Sequence, residues 1–493
     1  MKWLHTPHFS GCNPGKDAVK WLYTKKKEWS TLGIKKLFAA KDMTQGAPWQ
    51  RILEFSIPML LGNIAQQLYN TADSVIVGMF VGDNALAAVG SAAPILNLLL
   101  ALFVGIATGA GIVISQAYGA RDREGLSKNI GNCITLAGIA SIVIMFVGPV
   151  VTRPMLNLLS TPESIKEWCA DYLNLQFLGI AGFFFYNMLS GVLRGLGDSV
   201  SALGFLLLAA ALNVALDLVF VAGFDMGVAG VSLATVIAQA ISAIFCYRKL
   251  MKMSAIFDLN KDTMKLDENV ALRIIKIGVP SGITQAIFSM ASMVTQSLTN
   301  SMGEMVIAAN VIIMRVDGFA MMPNFSFGQA MSVYTGQNVG AMKYDRVHKG
   351  TKQGTLIAVT CSAAITCILL FLNKYLFAIF TDTAELIDLA GRMMRLMAVG
   401  YVGVAVTQSL GGVMRGAGDT VSPMWISIIS TVLLRVPVAY IMAHFTASEA
   451  WPHGHPFSLS ASLLISWVLG AVMSAVVFSR GKWKKTMMAF HEP

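Results

Sequence analysis

Between residues 53 and 479 the chain alternates long apolar runs with short polar segments, twelve times over. The runs cover residues 53–81, 86–117, 129–151, 168–191, 200–222, 228–250, 272–300, 306–337, 352–373, 388–412, 421–445 and 457–479. Each is long enough to cross about 30 Å of hydrocarbon as a helix. Several are longer, which predicts tilt, kinks or extension beyond the bilayer. Pro58, Pro94, Pro280, Pro323 and Pro437 are candidate kinks. The pattern predicts an all-α polytopic membrane protein with twelve transmembrane helices.

Polar residues inside the runs are the informative exceptions. In residues 204–222 the apolar sequence is broken only by Asn213 and Asp217. Four residues apart, they share one helix face, one turn apart. An aspartate at mid-bilayer costs roughly 2.5–3.5 kcal/mol on insertion scales, and such residues face a bundle interior or a wet cavity. This face reads as a cation or proton site. The plainer alternative is a polar pair that only holds helices together.

An internal repeat bears on that choice. Val-Leu-Arg-Gly-Leu-Gly-Asp-Ser-Val-Ser (192–201) returns as Val-Met-Arg-Gly-Ala-Gly-Asp-Thr-Val-Ser (413–422), 221 residues later. The same offset pairs Gln116 with Gln337, Gly119 with Gly340, Gly82 with Gly303 and Gly179 with Gly400. Each half holds six runs. An even number returns the chain to its starting side, so the halves are parallel repeats related by an axis along the membrane normal. The expected organisation is a basic arm (1–50), an N-lobe (51–250), a linker (251–271), a C-lobe (272–480) and a basic tail (481–493). Asp73 maps onto Val294, Asp217 onto Val438, Asn213 onto Leu434, Tyr69 onto Met290 and Thr235 onto Pro456. Only Asn187 keeps a polar counterpart, Gln408. Polar glue would be needed in both lobes, so its absence from the second favours ion chemistry in the first.

Composition agrees with the pattern: 55% of the 493 residues are hydrophobic and 13% charged, against about 25% charged in soluble domains. The net charge of +10 does not mark a nucleic-acid binder, because the basic residues sit in alternate short loops. That distribution is a topology signal and places both termini in the cytoplasm. The six cysteines form no CxxC pair, and no GxxxxGK[ST] loop occurs, so neither a zinc site nor an ATPase of the chain's own is expected. No nucleophile–base constellation suggests an enzyme. The arm, with Lys25-Lys26-Lys27, lacks the apolar core of a signal peptide. It either lies on an anionic leaflet or is an extension, with Met43 as an alternative start.

The chain resembles the multidrug and toxic compound extrusion (MATE) family, in its DinF-like/NorM-like prokaryotic branch, from about Lys41 to Arg480. The residues that carry the resemblance are Asp42-Met43-Thr44, Pro48-Trp49, Pro58…Gly62-Asn63, Tyr69-Asn70…Asp73…Val77-Gly78, Gln116…Gly119, the two Arg-Gly-x-Gly-Asp loops and Asn213…Asp217. The resemblance implies a V-shaped pair of six-helix lobes and secondary active export of amphipathic, often cationic, organic compounds in exchange for Na⁺ or H⁺. It implies a cation site at Asp73, Asn213, Asp217 and Thr235, with Asn187 and Tyr69 as polar neighbours and a kink at Pro58. It also implies no other cofactor, small organic substrates, a monomer in the bilayer, and a bacterial or archaeal plasma membrane. Phe184, Tyr186, Met314 and Gln408 are candidate substrate-cavity residues, aromatic or Met side chains being suited to promiscuous contact. The rival readings are a flippase for a lipid-linked precursor, which would need a strongly basic cavity, and a membrane scaffold or receptor that transports nothing.

Overall fold

The computed structural model describes residues 41–158, 161–449 and 451–489, with only the backbone of Asp83, Leu86, Pro94, Leu158 and Ala489. The expected arm up to residue 40 and the expected kink at Pro94 lie outside the described parts.

The first lobe is built from α1 (Pro48–Phe80), α2 (Asp83–Ala120), α3 (Arg123–Leu158), α4 (Glu163–Leu178), α5 (Ile180–Gly195), α6 (Ser199–Asp217) and α7 (Gly227–Met251). The second is built from α8 (Glu268–Ser301), α9 (Glu304–Gly340), α10 (Tyr344–Phe377), α11 (Ala384–Ala398), α12 (Gly400–Gly416), α13 (Val421–Ser427), α14 (Val436–Phe445) and α15 (Phe457–Ser479). A short α16 (Lys482–Ala489) follows. Among the described residues, π-helical turns occur at Leu218–Gly223, straight after α6, and at Ile428–Arg435, between α13 and α14.

Nine membrane-length apolar helices are present among the described residues, or eleven when the pairs α4–α5 and α11–α12, bent by 53° and 43°, each count as one span. The joints are Gly179 in the first lobe and Val399 in the second, next to Gly400, the repeat mate of Gly179. The expected twelfth span, α1, has the length but not the apolarity, because Asn63, Gln66, Gln67, Asn70 and Asp73 crowd its second half. Pro58, Pro280 and Pro323 lie inside α1, α8 and α9, and Pro437 follows the second π turn within the unbroken helical span Val421–Phe445. The Arg-Gly-x-Gly-Asp loops are turns and caps. Gly197 and Gly418 take positive φ. Asp198 accepts from the Ser201 amide and Asp419 from the Ser422 amide, satisfying first-turn donors.

Helix α1 belongs to both lobes. Its first turns bury Ile52, Phe55 and Met59 with Phe327, Met331 and Tyr334 of α9. Its last turns bury Ile76 and Val77 in the N-lobe, against Val221 and Val231. Elsewhere the lobes meet along α2 and α8, where a Cβ on Gly105 or Gly109 would run into the backbone of Gly282 or Gly278.

At the end that carries the basic loops, the lobes are tied by a two-fold pair of hydrogen bonds. Gln116 Nε2 donates to Gly416 O and Gln337 Nε2 to Gly195 O, both at 3.0 Å. Gln116 Oε1 accepts from Arg273, and Gln337 Oε1 from the Met43 amide, both at 2.9 Å. Residues 41–46 run across this end as a strap. The Lys41 amide donates to Gly197 O of the N-lobe at 3.1 Å. Asn338, Lys343 and Arg346 of the C-lobe donate to the carbonyls of Met43, Thr44 and Gly46.

The linker is also held down. Arg123 binds both oxygens of Asp258 (2.8 and 2.9 Å) and the carbonyls of Ser254 and Ala255. Thr135 donates to Met264 O, and the Asp267 amide donates to Asn132. The Arg123 guanidinium lowers the Asp258 carboxyl below its ordinary value. A depressed folded value means that the clasp is at full strength above the unfolded carboxylate value, about pH 4, and fails as pH falls below it. Amide exchange over residues 254–267, corrected for intrinsic rate, is expected to quicken only below about pH 4. In Arg123→Gln it should be fast at every pH. Unchanged exchange in that variant would show that Thr135 and Asn132 hold the linker alone.

Candidate functional site

The N-lobe buries a polar cluster where α1, α6 and α7 meet. Asn213 and Asp217 of α6 have no exposed surface. The Asp217 carboxyl lies within hydrogen-bond reach of the Asp73 carboxyl on α1. With the Asn213 amide turned so that its nitrogen donates to Asp217 Oδ2 at 2.9 Å, its oxygen accepts from Thr235 N and Oγ1 at 3.2 Å each. Tyr69 OH then donates to Thr235 Oγ1 at 3.4 Å. The chain Tyr69–Thr235–Asn213–Asp217–Asp73 thus links three helices. Asp73 Oδ1 and Asp217 Oδ1 are buried and accept no hydrogen bond among the described residues.

Two buried carboxyls in contact repel when both are ionised, a repulsion that a proton on one of them or a cation between them relieves. The two orphaned oxygens point to that role. The sequence suggested oxygen ligands from all four of Asp73, Asn213, Asp217 and Thr235. The amide serves either ion: with its nitrogen toward Asp217 it donates, and turned the other way its nitrogen donates to Thr235 Oγ1 at 3.2 Å and its oxygen faces Asp217, as a Na⁺ there would need. The π turn at 218–223 directly follows Asp217, and such turns are frequent at functional sites.

Asn187 stands apart from the cluster. Its amide donates to Phe183 O at 2.9 Å, and its side chain borders two cavities. One, of about 120 Å³, lies within the N-lobe between Tyr69, Tyr186, Gln66 and Gln239. The other, of about 210 Å³, lies between the lobes, with Thr108 and Arg194 on one side and Gln329 and Ser332 on the other. The four substrate-cavity candidates do not share a chamber. Tyr186 faces the N-lobe cavity. Met314 and Gln408 face adjoining C-lobe cavities that share Phe288, Met321, Phe325 and Trp467 as lining. Phe184 is core: it is 1% exposed and stacked on Phe103, ring centroids 3.6 Å apart.

Tyr172 of α4, not singled out from the sequence, is close enough to Asp73 and Asp217 to feel their charge. The repeat test finds it after the fact, because Tyr172 maps onto Met393. Among the described residues no group of three or more His, Cys, Asp or Glu side chains could hold a metal ion.

Two repeated helical lobes in a membrane, with an unrepeated acidic pair buried in one of them, define a two-lobe polytopic transporter. A family model described as MatE matches residues 58–219 and 280–441, once in each lobe, and the chain belongs to this family. "Probable multidrug resistance protein YoeA" of Bacillus subtilis (strain 168) is 28% identical over 85% of this chain and 92% of its own. "Probable multidrug resistance protein YpnP" of the same organism is 28% identical over 90% of this chain and 98% of its own. Among solved structures, one titled "Outward-facing conformation of a multidrug resistance MATE family transporter of the MOP superfamily" superposes with a TM-score of 0.82 at 24% identity. It covers 90% of this chain and 98% of its own.

Proposed function

We propose that this chain exports amphipathic, cationic organic compounds in exchange for inward Na⁺ or H⁺, with Asp73 and Asp217 as the coupling pair. The observation that carries the reading is the contact of these two carboxyls in a buried N-lobe cluster whose C-lobe counterparts are Val294 and Val438. The names of the curated relatives agree with drug export. The carboxyl–carboxyl contact suits a shared proton, and the same oxygens with the Asn213 amide oxygen turned to Asp217 suit Na⁺.

The route from site to motion runs through α1. Asp73 sits near its N-lobe end, while its first turns, which include Pro58, pack in the C-lobe. Neutralising the pair removes the repulsion between α1 and α6. Reionising it drives them apart and shifts the balance of lobe arrangements. The basic end is cytoplasmic in this reading, so lobes tied there match an outward-facing state. One charge crossing 100 mV releases about 2.3 kcal/mol, enough for a gradient of roughly fifty-fold.

The test is efflux of a fluorescent cationic dye from proteoliposomes under a Na⁺ gradient and a pH gradient imposed separately. Dye movement driven by one of them is expected and names the ion. No movement under either would overturn the export reading.

A further inference from the structure

A cavity of about 320 Å³ in the C-lobe, larger than the one beside the acidic cluster, holds a different charge arrangement. Asp317 of α9 and Arg435, the last residue of the second π turn, both line it. Tyr401 of α12 donates to Asp317 Oδ1 at 2.7 Å, which fixes the carboxylate. Arg435 is near enough to act on the charge of Asp317 but stops short of ion-pair contact. Its Nε is buried and has no hydrogen-bond partner among the described residues. A charged donor left unsatisfied in a buried wall is unfavourable, so its retention points to a group that arrives from outside the protein. Phe288, Phe325 and Trp467 supply an aromatic wall beside the two charges.

These charges are as unrepeated as the N-lobe acids. Asp317 maps onto Leu96, Tyr401 onto Ile180 and Arg435 onto Val214. Glue common to both lobes would not be so divided. Each described π turn also adjoins one of the embedded charges, Asp217 in one lobe and Arg435 in the other.

We propose that the C-lobe cavity is a binding site for amphipathic zwitterions. A carboxylate docks across the Nε–Nη edge of Arg435, the cationic group faces Asp317, and the apolar body lies on the aromatic wall. The guanidinium fork matches a carboxylate in bidentate geometry. A simple cation would meet Arg435 and a simple anion would meet Asp317, whereas a ligand bearing both charges leaves neither opposed. The inference rests on the export reading only in treating the ligand as cargo; binding itself is measured apart from coupling.

The experiment compares rhodamine B, a xanthylium cation with a free carboxylate, with its ethyl ester. Binding to the full chain in lipid nanodiscs is followed by fluorescence anisotropy. Wild type is expected to prefer the acid about tenfold or more, the scale of one charge-assisted hydrogen bond. Arg435→Gln should erase the preference, weakening the acid and tightening the ester, which as a simple cation no longer meets a like charge. Asp317→Asn should weaken both dyes. Asp217→Asn should keep the preference, which places the site in the C-lobe. Equal binding of acid and ester by wild type overturns the proposal whether or not any variant folds. Persistence of the preference in Arg435→Gln, or its loss in Asp217→Asn, overturns it as well. A clear acid preference beside failed efflux would leave this site standing and sink only the export reading.

Discussion

Asp217→Asn is expected to abolish gradient-driven dye export while the protein still folds and still binds dye. Asparagine is nearly isosteric, and its amide oxygen can accept the hydrogen bond that Asn213 Nδ2 gives to Asp217 Oδ2 at 2.9 Å. The buried network loses little. What disappears is the second charge: the pair becomes permanently half-neutralised, and loading or unloading a cation no longer changes the repulsion between α1 and α6. A ligand that does not discriminate between two states shifts neither. With the lobes held about 99:1 in one arrangement, turnover passes through a species at roughly one percent and slows about a hundredfold. Initial efflux rates in proteoliposomes read the effect, and dye anisotropy confirms intact binding. If the variant pumps at the wild-type rate, the pair is structural and Asp317 becomes the carboxylate to test.

The second large effect is expected from the tie at the basic end. The double variant Gln116→Ala, Gln337→Ala removes both bonds to the Gly416 and Gly195 carbonyls. It also takes away the side-chain oxygens to which Arg273 and the Met43 amide donate. Each buried hydrogen bond contributes about 1 kcal/mol net, and more when its partner is left bare. A loss of about 2–3 kcal/mol shifts the conformational ratio roughly 30- to 140-fold toward lobes parted at this end. Spin labels at Lys128 and Lys349, both exposed and in opposite lobes, should then report a longer distance. Each single variant should give a smaller shift. An unchanged distance in the double variant would mean that the glycine contacts of α2 with α8 hold the lobes without help.

The bilayer makes much of this fold legible. It demands helices about twenty residues long, so apolar runs mark them without further information. Asp73 and Asp217 stood out because a carboxylate in hydrocarbon is expensive and because the repeat lacked a second copy. Tyr172 was open to the same test. The ties between lobes were not legible. Gln116 and Gln337 appeared only as matched positions of the repeat. The Gln116 amide bonds a main-chain carbonyl 300 residues away, which no side-chain pattern marks. The orientation of the Asn213 amide is likewise set by its neighbours, not by its identity. Phe184 misled because an aromatic run looks the same facing a cavity or a stacked ring. The first helix escaped a simple hydropathy reading for the reason that makes it interesting: its polar residues include Asn63, Tyr69 and Asp73, which meet protein groups and not lipid.

The strap at residues 41–46 also orders events in time. It is among the first described parts of the chain to be made, yet Gln337, Asn338 and Arg346, which hold it, follow 294 to 303 residues later. At 5–20 residues per second the ribosome needs roughly 15–60 s to supply them. Throughout that interval the nascent segment carries donors and acceptors with no mates in the C-lobe. A polypeptide that stalls before Gln337 never closes the strap. Its seating is therefore among the last contacts the chain can complete during synthesis.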